Sequence, residues 1–268
     1  MITKTEAIVL RTIKYGEQRL IVDMFTRQQG RMAFIVPLPK SAHAKLRKQH
    51  FQPLSLLSIE ADVRQQVQLQ KLRETSVLYP LSSLLSQPEK LSISLFLSEF
   101  LYYALRDEQQ NEALFDYVLS SIEWLDGCES GFANFHLVFL MRLSRFLGFW
   151  PNLEEGDPTP NPSPKERGSL EEGDPTLTSP RERGILYFDL RAATFCGAPP
   201  LHRDFLVPNE AVHIRTLMRM NFANMHLFRL SRVERHRILE LLLLYYRLHL
   251  PSFPEMKSLE VLQEMYDS

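Results

Sequence analysis

Arginines flank an aromatic residue on one side of a predicted strand near the start of the chain. That strand lies within residues 4–36, which read KTEAIVLRTIKYGEQRLIVDMFTRQQGRMAFIV. Its even-numbered positions are apolar, and the pleat therefore directs Arg19, Phe25 and Arg27 to the opposite side. An exposed aromatic ring between guanidinium groups could stack a nucleobase and hold its phosphate. The alternative is that Phe25 packs beneath a later helix. The pattern of this strand taken alone slightly favours that alternative.

Positive charge is concentrated in the N-terminal part of the chain. Residues 1–80 contain 13 Lys and Arg against 6 Asp and Glu, although the whole chain has a net charge of −1. No acidic residue occurs between Asp23 and Glu60, and this run includes a proline-bounded basic segment with Lys40, Lys45, Arg47 and Lys48. Cations that displace counterions from phosphates give sequence-independent affinity for nucleic acid. The pattern favours a polyanion-binding module over the alternative of an ordinary solvated surface.

Five short strands are predicted to position these residues. Three lie within residues 4–36, where alternating apolar and polar residues are separated by glycine turns at 15–17 and 28–30. Two more are predicted at Phe51–Ile59 and Val67–Glu74. Five strands in about 75 residues suit a closed Greek-key barrel of the OB type, which commonly binds oligonucleotides across its second and third strands. An SH3-like barrel is the alternative with the same number of strands.

From Pro80 onward, apolar residues recur at helical spacing. Helices are predicted at 88–106, 111–125, 132–149, 210–220 and from the Ser231–Glu234 capping box to Pro251. The predicted fold class is α+β, with an OB-fold nucleic-acid-binding domain at 1–80 and a helical domain at 81–268. Arg142 and Arg145 on the third helix could anchor an acidic peptide, although an ordinary solvated arginine is the simpler interpretation of each.

A duplicated proline-rich segment interrupts the helical domain at 153–184. The sequence LEEGDPTPNPSPKERG is nearly repeated there as LEEGDPTLTSPRERG. Such a segment cannot bury enough apolar surface to offset its chain entropy. We therefore expect a disordered insertion in a surface loop.

The common catalytic and phosphate-binding motifs are absent from the sequence. It contains no G-x-x-x-x-G-K-[ST], G-x-G-x-x-G, H-E-x-x-H or G-x-S-x-G. Its only cysteines, Cys128 and Cys196, provide neither a disulfide framework nor a four-thiolate zinc site. We expect a binding protein with no catalytic residues, metal or other cofactor, and an enzyme with an unrecognised site in the helical domain is the alternative. Because no signal peptide or membrane-spanning run is present, we expect a cytoplasmic protein.

Four pieces of the chain, taken together, resemble the bacterial RecO family of recombination mediators and DNA repair proteins. They are the opening AIVLRTIKYGEQRLIVDMFTRQQGRMAFIV, the helix end GFWPN at 148–152, the YFDL at 187–190, and the tail YRLHLPSFPEMKSLEVL at 246–262. The Tyr-Gly-Glu turn combined with His249 and the Lys-Ser-Leu of the tail is the most specific part of the resemblance. The resemblance covers most of the chain outside the duplicated segment.

Membership of that family would imply an N-terminal OB fold, a helical C-terminal domain and binding of single- and double-stranded DNA. It would also imply annealing of complementary strands and help in loading recombinase onto DNA coated by single-strand-binding protein. The implied partners are RecR and the acidic C-terminal tail of single-strand-binding protein, and the implied location is the nucleoid rather than a membrane. Many members carry four zinc-binding cysteines after the Gly-Phe-x-Pro helix end. This chain has only Cys196 nearby, so we expect no zinc.

The DNA-contacting residues are predicted to be cations of the barrel, with aromatic side chains as possible stacking groups. The cations are Arg11, Lys14, Arg19, Arg27, Arg31, Lys40, Lys45, Arg47 and Lys48, and the aromatic candidates are Tyr15, Phe25 and Phe34. Neutralising phosphate charge would let two strands approach and pair without covalent chemistry. An RNA- or ribosome-associated OB-fold protein is the alternative function.

Overall fold

The N-terminal part of the chain folds into a closed five-stranded barrel. The computed structural model describes residues 2–37, 46–64, 67–152 and 186–267. The barrel strands are β1 (Ile2–Tyr15), β2 (Arg19–Thr26), β3 (Gly30–Pro37), β4 (Leu56–Asp62) and β5 (Leu69–Tyr79). Their order is β1-β2-β3-β5-β4, with β3 and β5 parallel and the other neighbours antiparallel. The predicted OB-type barrel is confirmed.

Glycines close the two predicted hairpins. Gly16 and Gly30 have φ angles of +65° and +69°, a left-handed conformation that costs little only without a Cβ atom. β1 and β2 pair from Ala7–Thr26 to Tyr15–Arg19, and β2 and β3 pair from Arg19–Pro37 to Thr26–Gly30. The three strands therefore form a continuous antiparallel sheet whose register is set by these turns.

The fourth and fifth strands differ in extent from the prediction. β4 begins at Leu56 rather than Phe51, because the residues Lys48–Phe51 form a 3-10 turn. β5 continues beyond Glu74 to Tyr79, since its last residues remain paired with the start of β4. The clustering of apolar residues in the sequence therefore predicted that both strands exist but not where they begin and end.

Seven helices and a small sheet make up the rest of the described chain. The helices are α1 (Ser82–Ser86), α2 (Pro88–Ala104), α3 (Glu112–Gly127), α4 (Phe135–Phe146), α5 (Pro208–Arg219), α6 (Arg232–His249) and α7 (Ser258–Asp267). The strands β6 (Tyr187–Asp189), β7 (Thr194–Cys196) and β8 (Phe205–Leu206) form a sheet in the order β7-β6-β8. None of the described helices is long and apolar enough to cross a membrane.

Local signals in the sequence explain several of these helix starts. Ser231 and Glu234 form the predicted capping box, in which each side chain accepts a hydrogen bond from the other residue's backbone N–H. The side chain of Asn111 caps α3 by accepting from Leu114 N. Pro88 lies at the first turn of α2, where its missing N–H is not needed.

α2 is the central helix of the molecule. Its Phe96 and Phe100 are fully buried, whereas Leu91 and Leu95 are 36% and 37% exposed. α2 packs against the barrel as well as against other helices. Its buried side therefore includes Ile93 and Leu97, and Leu91 and Leu95 lie at the edge of that side. The duplicated proline-rich segment, predicted to be disordered, lies outside the described residues.

One apolar core continues from the outside of the barrel into the helices. Ile8, Leu10 and Phe25 belong to the same buried cluster as the side chains of α2, α3 and α4. A second cluster fills the barrel interior and includes Val22 and Phe34. The helical domain therefore covers part of the barrel wall, and this decides which barrel residues can reach a ligand.

Candidate nucleic-acid interface

Exposed basic residues collect at one end of the barrel. Tyr15 pairs with Arg19 across the β1–β2 hairpin, and Arg19 pairs with Pro37 across β2 and β3. Lys14 and Arg19 are exposed, and Tyr15 is 52% exposed. β3 ends at Pro37 at this end of the barrel, directly before the predicted basic segment in the sequence.

Two more exposed cations, Arg47 and Lys48, follow in the next described residues. They precede Phe51, whose ring is buried in the barrel core and whose carbonyl accepts a hydrogen bond of 2.8 Å from Thr12 Oγ1 of β1. Lys40 and Lys45 lie outside the described residues. The anchoring of Phe51 ties the 3-10 turn Lys48–Phe51 to β1.

We call residues 46–51, the first described residues after Pro37, the return segment. His50 holds this segment against the other side of the barrel. Its Nδ1 lies 2.8 Å from Thr75 Oγ1 of β5. Burial, and then the positive charge of Arg47, lower the pKa of His50 below its ordinary value. His50 therefore serves to position the basic residues beside it rather than to add charge of its own near neutral pH.

The outer wall of β1, β2 and β3 is left partly uncovered next to the basic end. Ile13 pairs with Ile21, and Ile21 pairs with Ile35, so the three side chains form a row on this wall. Ile13 is 37% exposed, and the other two are partly exposed. We call the surface formed by Ile13, Tyr15, Arg19, Ile21 and Ile35 the open face.

The remainder of that wall is covered by α2 and α3. Phe25 is fully buried, with its ring centroid 5.6 Å from that of Phe115. Arg27 Nε lies 2.7 Å from Glu6 Oε2, and Arg27 Nη1 lies 2.6 Å from Asp116 Oδ1. Burial alone would lower the pKa of Arg27, but the hydrogen bonds to Glu6 and Asp116 raise it. The structure thus places Arg27 in the contact between the two domains.

α2 contributes a tyrosine that holds two further predicted arginines. The guanidinium carbons of Arg11 and Arg31 lie 4.7 and 4.3 Å from the centroid of the Tyr102 ring. Arg31 Nη2 is also 3.1 Å from Asp23 Oδ1. Because these contacts are cation–π and ionic, both arginines stabilise the junction of the barrel with the helical domain.

Two of the predicted stacking groups are wrong. Phe34 is fully buried because it pairs with Val22 on the inside of the barrel. Phe25 is buried on the outside under Phe115, as the packing alternative expected. Of the aromatic candidates, Tyr15 is the ring that the structure leaves accessible. The sequence offered a signal for the open face that was not used, since Ile13, Ile21 and Ile35 are apolar residues at outward positions.

The two arginines predicted to hold an acidic peptide have different surroundings. Arg142 donates from Nε and Nη2 to Met220 O, at 3.1 and 2.8 Å, and so satisfies a carbonyl at the end of α5. Arg145 is exposed, with its guanidinium carbon 5.9 Å from the centroid of Trp150. Arg142 therefore has a structural role. Partner binding by Arg145 stays a prediction.

The cysteines do not fit the zinc site that many members of the resembled family carry. Cys128 follows the end of α3 and Cys196 lies on β7, and both are free thiols. Among the described residues, no group of three or more His, Cys, Asp or Glu is arranged to hold a metal ion. A four-thiolate site cannot be built from two cysteines.

A closed Greek-key barrel with an open face beside a basic end, joined to a helical domain, has the architecture of an OB-fold protein, a class that commonly binds oligonucleotides. Residues 1–81 match the family model for the N-terminal domain of recombination protein O, and residues 85–260 match the model for its C-terminal domain. The chain belongs to the RecO family of DNA repair proteins.

Relatives named DNA repair protein RecO are similar along their whole length. The chain is 45% identical over 266 residues to that of Phocaeicola vulgatus, which covers 99% of this chain and 100% of the relative. It is 44% identical over 268 residues to that of Bacteroides fragilis, and 33% identical over 270 residues to that of Porphyromonas gingivalis, with complete coverage in both cases.

Proposed function

We propose that this protein is a recombination mediator that binds DNA, anneals complementary strands and helps load recombinase onto single-stranded DNA coated by single-strand-binding protein. It binds both single- and double-stranded DNA and acts without covalent chemistry or a cofactor. RecR and the C-terminal tail of single-strand-binding protein are its proposed partners, and the nucleoid in the cytoplasm is its proposed location.

The observation that carries the proposal is the open face beside the basic end of the barrel. Tyr15 offers an exposed ring on which a base stacks, and Arg19 lies next to it in the cross-strand register. Lys14, Arg47 and Lys48 are exposed at the same end. This is the combination of stacking platform and phosphate-binding cations that OB-fold proteins use on single strands.

Annealing follows from the same charges. Two DNA strands repel each other through their phosphates, and cations that displace counterions reduce this repulsion. A surface that binds phosphates without reading the bases permits the strands to exchange partners until they pair. The apolar row of Ile13, Ile21 and Ile35 offers no fixed hydrogen-bonding pattern that would select a sequence.

The test compares pairs of charge-removing substitutions on the barrel. Lys14→Gln with Arg19→Gln removes the hairpin cations, and Arg47→Gln with Lys48→Gln removes those of the return segment. Each pair is expected to lower the slope of log affinity against log salt concentration by about 2, because each phosphate contact contributes about 1. Fluorescence anisotropy with a labelled oligonucleotide gives the slopes, and fluorescence transfer between two complementary oligonucleotides gives the annealing rate.

The matched control is Lys4→Gln with Arg203→Gln, which removes two exposed cations, one at the start of β1 and one in the small-sheet region, neither of which belongs to the open face. It should change neither the salt slope nor the annealing rate. Equal losses in the control and test pairs would refute the open face as the DNA site. Competition by structured RNA that exceeds competition by single-stranded DNA would instead support the RNA-binding alternative.

A further inference from the structure

A polar cleft of about 480 Å³ opens where the barrel meets the helical domain. Its lining includes Arg31 and Ala33 of β3, Val67 and Gln68 before β5, and Arg106 after α2. We propose that this cleft takes one nucleotide of a single DNA strand that lies across β2 and β3. This inference rests on the proposed function and adds a specific subsite to it.

The size and polarity of the cleft suit a nucleotide. Its volume falls in the range of about 300–1,000 Å³ that is usual for pockets binding small organic ligands. The apolar side chains of Met32 and Val67 and the polar side chain of Gln68 share its lining. Such a mixture offers a base both a surface for its ring and hydrogen-bonding groups for its edge.

The charges of the cleft favour an anionic ligand. Asp23 is the acidic residue in the lining, and its carboxylate is paired with Arg31 at 3.1 Å. Arg106 is exposed and also lines the cleft, and its guanidinium carbon lies 5.7 Å from the centroid of the Tyr103 ring. The cleft therefore carries one positive charge beyond the Asp23–Arg31 pair, as binding of a phosphate requires.

Arg31 is held in place at the wall of the cleft. Its Nη2 lies 3.1 Å from Asp23 Oδ1, its Nη1 lies 3.4 Å from Arg106 O, and its guanidinium carbon lies 4.3 Å from the centroid of the Tyr102 ring. The positive charge of Arg31 is therefore positioned before a ligand arrives, which reduces the entropy lost on binding.

The walls of the cleft are fixed in advance by side-chain contacts. Gln70 is buried, and its side chain accepts from Arg64 N at 3.0 Å and donates to Arg64 O at 3.0 Å and to Val67 O. These bonds tie together the two ends of the connection between β4 and β5. A pre-organised wall reduces the entropy lost on binding.

The open face leads toward this cleft. Arg19–Pro37, Ile21–Ile35 and Asp23–Ala33 are successive same-side pairs of β2 and β3, and the last pair lines the cleft. The distance from Arg19 to Asp23 along β2 is about 13 Å at the usual rise of a strand. A single strand bound at Tyr15 and Arg19 can therefore continue along the same wall into the cleft.

The test combines Arg106→Ala with an oligonucleotide of thymidines that carries one 2-aminopurine at successive positions. In the unaltered protein, one position should give a fluorescence change distinct from its neighbours, because its base enters the cleft. Arg106→Ala should abolish this position dependence, weaken binding about tenfold through loss of a charge-assisted hydrogen bond, and lower the salt slope by about 1. Arg203→Ala, which removes an exposed arginine of the small-sheet region, is the matched control and should change none of these quantities.

The outcomes separate the cleft from the proposed function. Normal affinity, salt slope and position dependence in Arg106→Ala would overturn the nucleotide subsite and leave DNA binding by the open face intact. A salt slope that falls equally in Arg203→Ala would also overturn it, since the effect would then be one of overall charge. Failure of the unaltered protein to bind any oligonucleotide would overturn both proposals.

Discussion

Lys90 is a fully buried lysine that joins three helices. Its ammonium group donates to Ser83 Oγ at 2.6 Å, to Asp126 O at 3.1 Å and to Cys128 O at 2.6 Å. Asp126 in turn accepts a hydrogen bond from Ser83 N through its carboxylate. The lysine thus satisfies carbonyl groups at the end of α3 and connects them to the start of α1. A buried charge is tolerated only when its hydrogen bonds are satisfied in this way.

Replacement of Lys90 by methionine should destabilise the protein by about 3 kcal/mol, because it leaves buried carbonyl oxygens without donors. Urea unfolding followed by circular dichroism measures the change. Lys71→Met, at an exposed site on β5, is the control and should lie within about 0.5 kcal/mol of the unaltered protein. Equal stability of the two variants would show that the Lys90 network contributes nothing net.

At the scale of elements, the turn between β2 and β3 fits closely against the loop that follows α2. Arg31 N donates to Glu108 O at 3.1 Å. A Cβ atom on Gly30 would overlap the backbone of Glu108 and Gln109. Gly30 is therefore required both for its positive φ angle and for the close approach of the two domains.

The pair Gly30→Ala and Gly16→Ala separates these two requirements. Both glycines have positive φ, but a Cβ atom on Gly16 would have no neighbour within 4 Å. Gly16→Ala should cost about 1 kcal/mol from backbone strain alone. Gly30→Ala should cost about 3 kcal/mol, because overlap with backbone atoms adds to the strain. Thermal unfolding measures both, and similar losses in the two variants would contradict a close approach at Gly30.

At the scale of the whole molecule, the barrel and the helical domain share one apolar core. Phe25 and Phe115 are both fully buried in the shared core, and Arg27 lies 4.7 Å above the Phe115 ring. Ser98 of α2 also donates a hydrogen bond to Leu10 O of β1. Because apolar packing and buried hydrogen bonds cross this junction, the two parts are expected to unfold together.

Truncation of Phe115 should break that cooperativity. Phe115→Ala is expected to lose about 4 kcal/mol and to split the single calorimetric transition into two, since it empties the contact beneath Phe25. Asp116→Asn removes only the ion pair to Arg27, and Asp116 is 59% exposed, so it should cost at most about 1 kcal/mol and keep one transition. A single transition in Phe115→Ala would indicate that other contacts suffice to couple the domains.

Local patterns in the sequence were enough to predict the five barrel strands and five of the seven helices of the described chain. Alternating residues and glycine turns gave β1, β2 and β3, and the Ser231–Glu234 pair gave the start of α6, because both depend on neighbours along the chain. The concentration of Lys and Arg in the N-terminal part indicates a polyanion-binding site there, and that site stays a prediction. Family resemblance predicted the RecO family, which the full-length similarity to known relatives confirms.

The tertiary structure alone decided which side chains of the barrel remain available. The period of a strand shows which residues share a side, but it cannot show what covers that side. α3 brings Phe115 and Asp116 onto Phe25 and Arg27 from about ninety residues away, a contact that no local pattern encodes. Arg19 and Tyr15 are exposed because none of the described helices packs over them. The packing of the helical domain against the barrel also forms the cleft beside Arg31. Its lining residues come from separate parts of the sequence, so no local pattern could predict it.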